Sequence, residues 1–114
     1  MNFNCKIHKP LTTRNNKKYL ELTLTEKDSK KVLNEHSQTK NLIQNSKIKD
    51  PLDGNVLEVK VPFRYRKVTC NVEGNKTIHE LKENDQVTVT LKYCGVWNIG
   101  EYSGFAWRLD KLVN

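Results

Sequence analysis

The chain has 114 residues, 36% of them hydrophobic, and its 20 lysine and arginine residues outnumber 13 acidic ones, for a net charge of +7. This length fits one small domain with its own core, and we expect it to span residues 1–114. The sequence has no run of about 18 apolar residues, so it predicts no membrane-spanning helix and no membrane partner. Its polar start lacks the apolar stretch of a secretion signal, which predicts an intracellular protein, in the cytoplasm or the nucleus.

The first two strands are predicted from the alternation of apolar and polar residues. Every second position is apolar over residues 2–8, which is typical of a half-buried strand. Pro10 ends this strand because proline has no N–H group for the ladder. Residues 19–25 alternate again and predict a second strand, and Asn15 and Asn16 supply the turn between the two.

Residues 26–54 interrupt the β pattern. Asp28 or Ser29 is placed to cap a short helix, but the apolar stripe that follows is thin. We interpret the segment as an insertion after the second strand, formed by a weak helix and then a partly mobile loop. Asp53 and Gly54 supply the turn into the next strand.

The apolar residues of segment 55–72 change their parity. They occupy odd positions from Leu57 to Tyr65 and even positions from Val68 onwards. A period of two cannot change phase without an extra residue. We therefore expect one long bent strand or a close pair of strands, with a bulge near Arg66 and Lys67.

The C-terminal part of the chain predicts the closing strands. Residues 77–83 predict one helical turn, and residues 87–93 alternate as a strand. Residues 95–104 form a glycine-punctuated hairpin loop before the last strand, residues 105–109. Five or six strands without a long covering helix predict an all-β fold. We expect a five-stranded, OB-like (oligonucleotide-binding) Greek-key barrel with the 26–54 insertion after its second strand.

The segment Phe63–Lys67 interleaves three cations with two aromatic rings. Cations pair with phosphates and rings stack on unpaired bases, so the pattern is typical of a surface that holds single-stranded nucleic acid without reading its sequence. Residues 60–72 contain four cations and no acid. Such concentrated charge favours a polyanionic partner. The alternative interpretation is a solvated strand edge with one ring in the core.

The last hairpin gathers most of the remaining aromatic residues. Parity places Tyr93, Phe105 and Trp107 on the core side of their strands, whereas Trp97 and Tyr102 stand in the glycine-rich loop. An exposed tryptophan is unusual without a partner. Trp97 is therefore either a platform for a base or a side chain that folds back over the mouth of the barrel.

Motifs for catalysis and for metal binding are absent from the sequence. It contains no P-loop and no GxSxG, GxGxxG or HExxH pattern. Its three cysteines and three histidines are scattered, without CxxC or paired-histidine spacing. We expect a non-enzymatic protein with no metal or cofactor, whose thiols are reduced and are buried or half-buried.

Four stretches of the C-terminal half carry a family resemblance: Val61–Tyr65, Leu81–Lys92, Gly95–Trp97 and Gly104–Leu109. They resemble the middle and closing strands of the OB-fold single-stranded DNA-binding proteins of phages and large DNA viruses. The resemblance covers roughly residues 55–112. It implies a protein that coats single strands during replication or recombination in a virus-infected host. The residues that it implicates in binding are Arg64, Tyr65, Arg66, Lys67, Trp97 and Arg108.

The predicted function is largely sequence-independent binding of single-stranded DNA in support of viral or phage DNA replication or recombination. RNA binding is the alternative in the same class, and a small basic adaptor for an acidic protein is the alternative in another. An open strand edge would allow copies of the chain to form a homo-oligomer, and replication proteins are candidate partners. The predicted nucleic-acid-binding residues are Arg14, Lys17, Lys18, Lys60, Arg64, Tyr65, Arg66, Lys67, Lys92, Trp97, Tyr102 and Arg108.

Overall fold

Strands make up 56% of the computed structural model, which describes residues 1–114 and contains one α-helix. In chain order the strands are β1 (Asn2–Arg14), β2 (Lys17–Thr23), β3 (Lys47–Lys49), β4 (Leu52–Asp53), β5 (Val56–Val61), β6 (Phe63–Arg64), β7 (Lys67–Val68), β8 (Asn71–Glu73), β9 (Gln86–Ile99) and β10 (Tyr102–Val113). Helix α1 spans Glu26–Thr39, and 3-10 turns cover Lys40–Leu42 and Ile78–Glu80. The predicted β-rich architecture is confirmed.

Five of the strands form a ring. Strand β1 pairs with β2 and β9, β9 pairs with β10, and β2 pairs with β5, all of them antiparallel. A parallel bridge between Lys60 and Arg108 joins β5 to β10 and completes the circuit. The order around the ring is therefore β1–β2–β5–β10–β9. Strands β3, β4 and β8 add to the edges, and β6 and β7 pair only with each other.

The interior of the ring is filled by one cluster of 19 buried apolar residues. Along β5, Val59 and Val61 are fully buried while Lys60 between them is exposed. Along β10, the half-buried Arg108 stands between the buried Trp107 and Leu109. Successive strand residues point to opposite faces, so the predicted alternation separates an apolar inside from a polar outer face.

Helix α1 begins at the N-cap Thr25, whose Oγ1 accepts a hydrogen bond from the Asp28 N–H at 3.1 Å. The predicted caps, Asp28 and Ser29, are wrong because both residues already lie inside the helix. Ser29, Val32 and His36 are its buried side chains, and a spacing of three and four residues places them on one face. That face packs towards β9 and β10.

His36 anchors α1 to the sheet. Its Nε2 accepts a hydrogen bond from the Trp107 indole N–H at 2.9 Å, and its ring stacks on Phe105 with centroids 4.0 Å apart. An accepting Nε2 requires the neutral imidazole with its hydrogen on Nδ1. Burial lowers the pKa of His36 and outweighs the opposing attraction of Asp50 and Glu35.

Folding stability should therefore fall on mild acidification. The unfolded chain takes up the His36 proton near the ordinary pKa of 6.5, before the folded chain does. Stability is thus fully present above that pH, declines as pH falls through it, and levels off below the folded-state pKa. Urea denaturation between neutral pH and pH 5 should show this decline. His36→Gln keeps an acceptor for Trp107 without a titrating ring and should flatten it, whereas the exposed-site control His8→Gln should not.

Two local predictions in the C-terminal half are wrong. No bulge lies at Arg66; instead Tyr65 and Arg66 form the two-residue turn of the β6–β7 hairpin, with φ of 51° and 67°. Residues 95–104 are not a loop, because β9 and β10 continue almost to the tip at Gly100. A register shift in this hairpin instead makes Cys94 an extra residue of β9.

None of the helices combines the length and the apolar character needed to cross a membrane.

Candidate nucleic-acid interface

Four side chains cross the outer face of the ring, one from each of four neighbouring strands. Tyr19 of β2 is paired in register with Lys60 of β5, and Lys60 is paired with Arg108 of β10. Arg108 is paired in turn with Lys92 of β9. Neighbouring strands lie about 4.8 Å apart, so this transverse row of one ring and three cations spans roughly 14 Å.

A cleft of about 340 Å³ adjoins the transverse row. Lys60 and Arg108 belong to both, so the cleft and the row share two cations. Lys17, the first residue of β2 after the β1–β2 turn, also lines the cleft. The lining residues are Asn16, Lys17, Lys60, Pro62, Phe63 and Arg108.

The cations of this surface differ in how they are compensated. The Arg108 Nε–H donates to Asp110 at 2.8 Å, and an Arg14 Nη2–H donates to Glu58 at 2.6 Å. These hydrogen bonds raise the pKa of both guanidinium groups. The other predicted binding cations have no carboxylate oxygen within 4.0 Å, so their charge is available to an anion. They are Lys17, Lys18, Lys60, Arg64, Arg66, Lys67 and Lys92.

The β6–β7 hairpin presents the predicted basic–aromatic segment to solvent. The Tyr65 ring at its tip is 86% exposed, and Cζ of Arg64 lies 5.5 Å from the centre of that ring. At its base, Phe63 lines the cleft, and the Lys18 ammonium lies 5.3 Å from the centre of the Phe63 ring. The hairpin thus begins at the wall of the cleft and carries an uncovered ring outwards.

Trp97 does not stand in an exposed loop as predicted. It belongs to β9, is half-buried, and is paired with Gly104 of β10. A Cβ atom at Gly104 would lie 2.6 Å from the Trp97 ring and 2.6 Å from the Lys49 carbonyl oxygen. The indole therefore covers the glycine backbone, which only a residue without a side chain permits.

Tyr102 lies at the far end of the same hairpin and is 37% exposed. The ammonium groups of Lys47 and Lys49 lie 5.6 and 4.6 Å from the centre of its ring. The structure thus separates the predicted residues into two groups. The first surrounds the cleft and the transverse row, and the second, Trp97 and Tyr102, lies towards the hairpin tip.

The three cysteines are free thiols. Burial raises the pKa of the Cys5 thiol to about 12, and burial also raises the pKa of the half-buried Cys70. Cys94 is exposed, so the prediction that every thiol is at least half-buried is wrong there. No group of three histidine, cysteine or acidic residues is placed to hold a metal ion.

The predicted set omits three residues of this surface, Tyr19, Lys47 and Lys49. Tyr19 follows two lysines and alternates with the core leucines of the predicted second strand, so its side chain was expected to point outwards. That pattern was sufficient to add Tyr19 to the predicted binding residues. Lys47 and Lys49 flank an isoleucine in a strand-like alternation inside the predicted loop.

No protein-family model, curated protein or solved structure matches the chain.

Proposed function

We propose that the protein binds single-stranded DNA, without catalysis and largely without sequence preference, along the outer face of its five-stranded ring. The transverse row carries the proposal. Its members, Tyr19, Lys60, Arg108 and Lys92, are fixed in register by four strands. A row of cations fixed in register, with the exposed Tyr65 ring on the adjoining hairpin, offers a single strand both charge and stacking surface.

Binding in this proposal has two physical components. Lysine and arginine side chains around the cleft replace counterions on the phosphates, and the released ions drive association. The uncovered Tyr65 ring at the adjoining hairpin tip, 86% exposed, stacks on an unpaired base. Stacking of this kind contributes about 1–3 kcal/mol per base and tolerates any sequence, because every base has a π-face.

The order of the ring strands supports an OB-like Greek-key barrel as part of the proposal. Three strands follow each other in the chain as antiparallel neighbours, β1, β2 and β5, and the last strand, β10, lies between β5 and β9. OB barrels bind oligonucleotides on the face of their second and third strands and on the adjoining loops. Here the second and third ring strands hold Tyr19 and Lys60. A role in viral or phage replication or recombination is supported by the sequence resemblance.

The dependence of affinity on salt tests the proposal. If four or five cations contact phosphates, the slope of log K against log salt for oligo-dT should be about −3, at about 0.7 per contact. Arg64→Ala/Arg66→Ala should reduce that slope by about 1.4. Both slopes can be measured by titrating the protein with oligo-dT at several salt concentrations. Binding is followed by the intrinsic fluorescence of the protein or by the anisotropy of a labelled oligo-dT. A slope near zero for the unaltered protein contradicts the mechanism.

The same measurements discriminate the alternatives. Preference for oligo-U over matched oligo-dT in competition would assign the surface to RNA. Failure to retain any oligonucleotide at about 50 mM salt, where phosphate contacts are strong, would favour an acidic protein partner instead.

A further inference from the structure

A second cluster of cations and rings lies apart from the cleft, on β3 and the tip of the β9–β10 hairpin. Lys47 and Lys49 of β3 approach the Tyr102 ring, with Lys49 the nearer at 4.6 Å from its centre. Lys47 forms an ion pair with Glu101 at 3.1 Å. Lys49 has no such partner, so its ammonium is the one left to attract an anion.

The inner side of β10 is marked by two rings that both contact His36. Phe105 stacks on His36, and Trp107 donates to it. Odd-numbered residues in this part of β10 therefore face the helix. Because strand residues alternate, Tyr102 and Arg108 both belong to the opposite, outer side.

The distance between the two clusters follows from the strand itself. Tyr102 and Arg108 are six residues apart on one strand, which corresponds to roughly 20 Å at about 3.4 Å per residue. Trp97, lying over Gly104, occupies the outer side between them. The outer face of β10 is thus a track with cations at both ends and a ring in the middle.

We propose that Lys49 and Tyr102, with Lys47 beside them, form a distal subsite for a phosphate and a base of the same nucleic-acid strand that occupies the cleft. This inference rests on the proposed function. A strand that stays stacked as in DNA rises about 3.4 Å per nucleotide along its axis and needs about six nucleotides to reach from one end of the track to the other. An unstacked strand is longer per nucleotide and needs fewer. The β3 strand would then be the part of the 26–54 segment that lengthens the binding site.

Oligonucleotide length separates the distal subsite from the cleft. On a twelve-residue oligo-dT, Lys49→Ala should reduce the salt slope by about 0.7. Tyr102→Ala should weaken binding roughly 5- to 150-fold with an unchanged slope. On a two-residue oligo-dT, which is too short to span the track even when it is unstacked, both variants should match the unaltered protein.

Lys27→Ala is the matched control, because it removes one exposed lysine from α1, on the opposite side of β10, and should change neither oligonucleotide's binding. Thermal melts of each variant establish that the fold is intact. If Lys49→Ala and Tyr102→Ala bind the twelve-residue oligonucleotide as the unaltered protein does, the distal subsite is excluded while the cleft stands. Equal losses on both lengths would also overturn the two-part track. Absence of binding by the unaltered protein would instead reject the proposed function itself.

Discussion

Replacing Lys60 and Lys92 together with glutamate should lower the affinity for oligo-dT about 100-fold at about 50 mM salt. The two lysines flank Arg108 in register on either side. Losing two phosphate contacts, each with a slope of about 0.7, costs roughly 70-fold at this salt concentration. The new carboxylates repel phosphates and also pair with Arg108, so a third cation is withdrawn from the ligand.

The control for this double reversal is Lys27→Glu/Lys40→Glu, which makes the same change in net charge at exposed positions on α1 and the 3-10 turn that follows it. If net charge alone attracts the nucleic acid, both variants should lose affinity equally. Retained affinity in Lys60→Glu/Lys92→Glu, with a normal melting curve, would mean that the transverse row is not the binding surface.

Replacing Trp107 with alanine should lower the free energy of unfolding by about 3–5 kcal/mol. The side chain is 2% exposed inside the ring and donates its only hydrogen bond to His36. Its removal leaves a cavity and a buried imidazole nitrogen without a donor, which adds to the cost. Urea denaturation measures the effect.

Tyr65→Ala is the comparison for this loss. It also removes an aromatic ring, but one that is 86% exposed at a hairpin tip. Surface substitutions usually change stability by less than about 0.5 kcal/mol, so this variant should unfold nearly as the unaltered protein does. Similar stabilities for the two variants would mean that Trp107 contributes little to the core.

Alternation along the chain was sufficient to predict which residues fill the core. The leucines of β2, Val59 and Val61 of β5, and Val87 and Val89 of β9 are buried as their period of two requires. Ring closure was not predictable in detail, because the bridge between Lys60 and Arg108 joins residues 48 positions apart that share no local signal. Its position depends on twist and packing of the whole sheet.

Both errors in the C-terminal half arose because the glycines there do not reliably mark where the chain turns. Two non-glycine residues, Tyr65 and Arg66, take positive φ in the β6–β7 turn, and no turn propensity favours them there. The change of parity was real, but a hairpin rather than a bulge accounts for it. In the β9–β10 hairpin the glycines suggested a loop, whereas Gly104 is needed in the strand because an indole lies on it.

The candidate site was predictable where its charged residues are neighbours in the sequence. It was not predictable where the fold brings together residues that are far apart in the chain. The basic–aromatic segment ending at Lys67 was visible in the chain. The cluster of Lys47, Lys49 and Tyr102 joins residues more than fifty positions apart through a short parallel pairing. Parallel partners of this kind leave no turn signal between them.

The single bridge that closes the ring has a cost built into it. It holds two cationic residues, Lys60 and Arg108, as direct neighbours across the seam, where like charges facing each other oppose strand pairing. Asp110 relieves this conflict on one side only. A polyanion lying over the seam would relieve it on the other, so binding an anion there would also strengthen the closure of the ring.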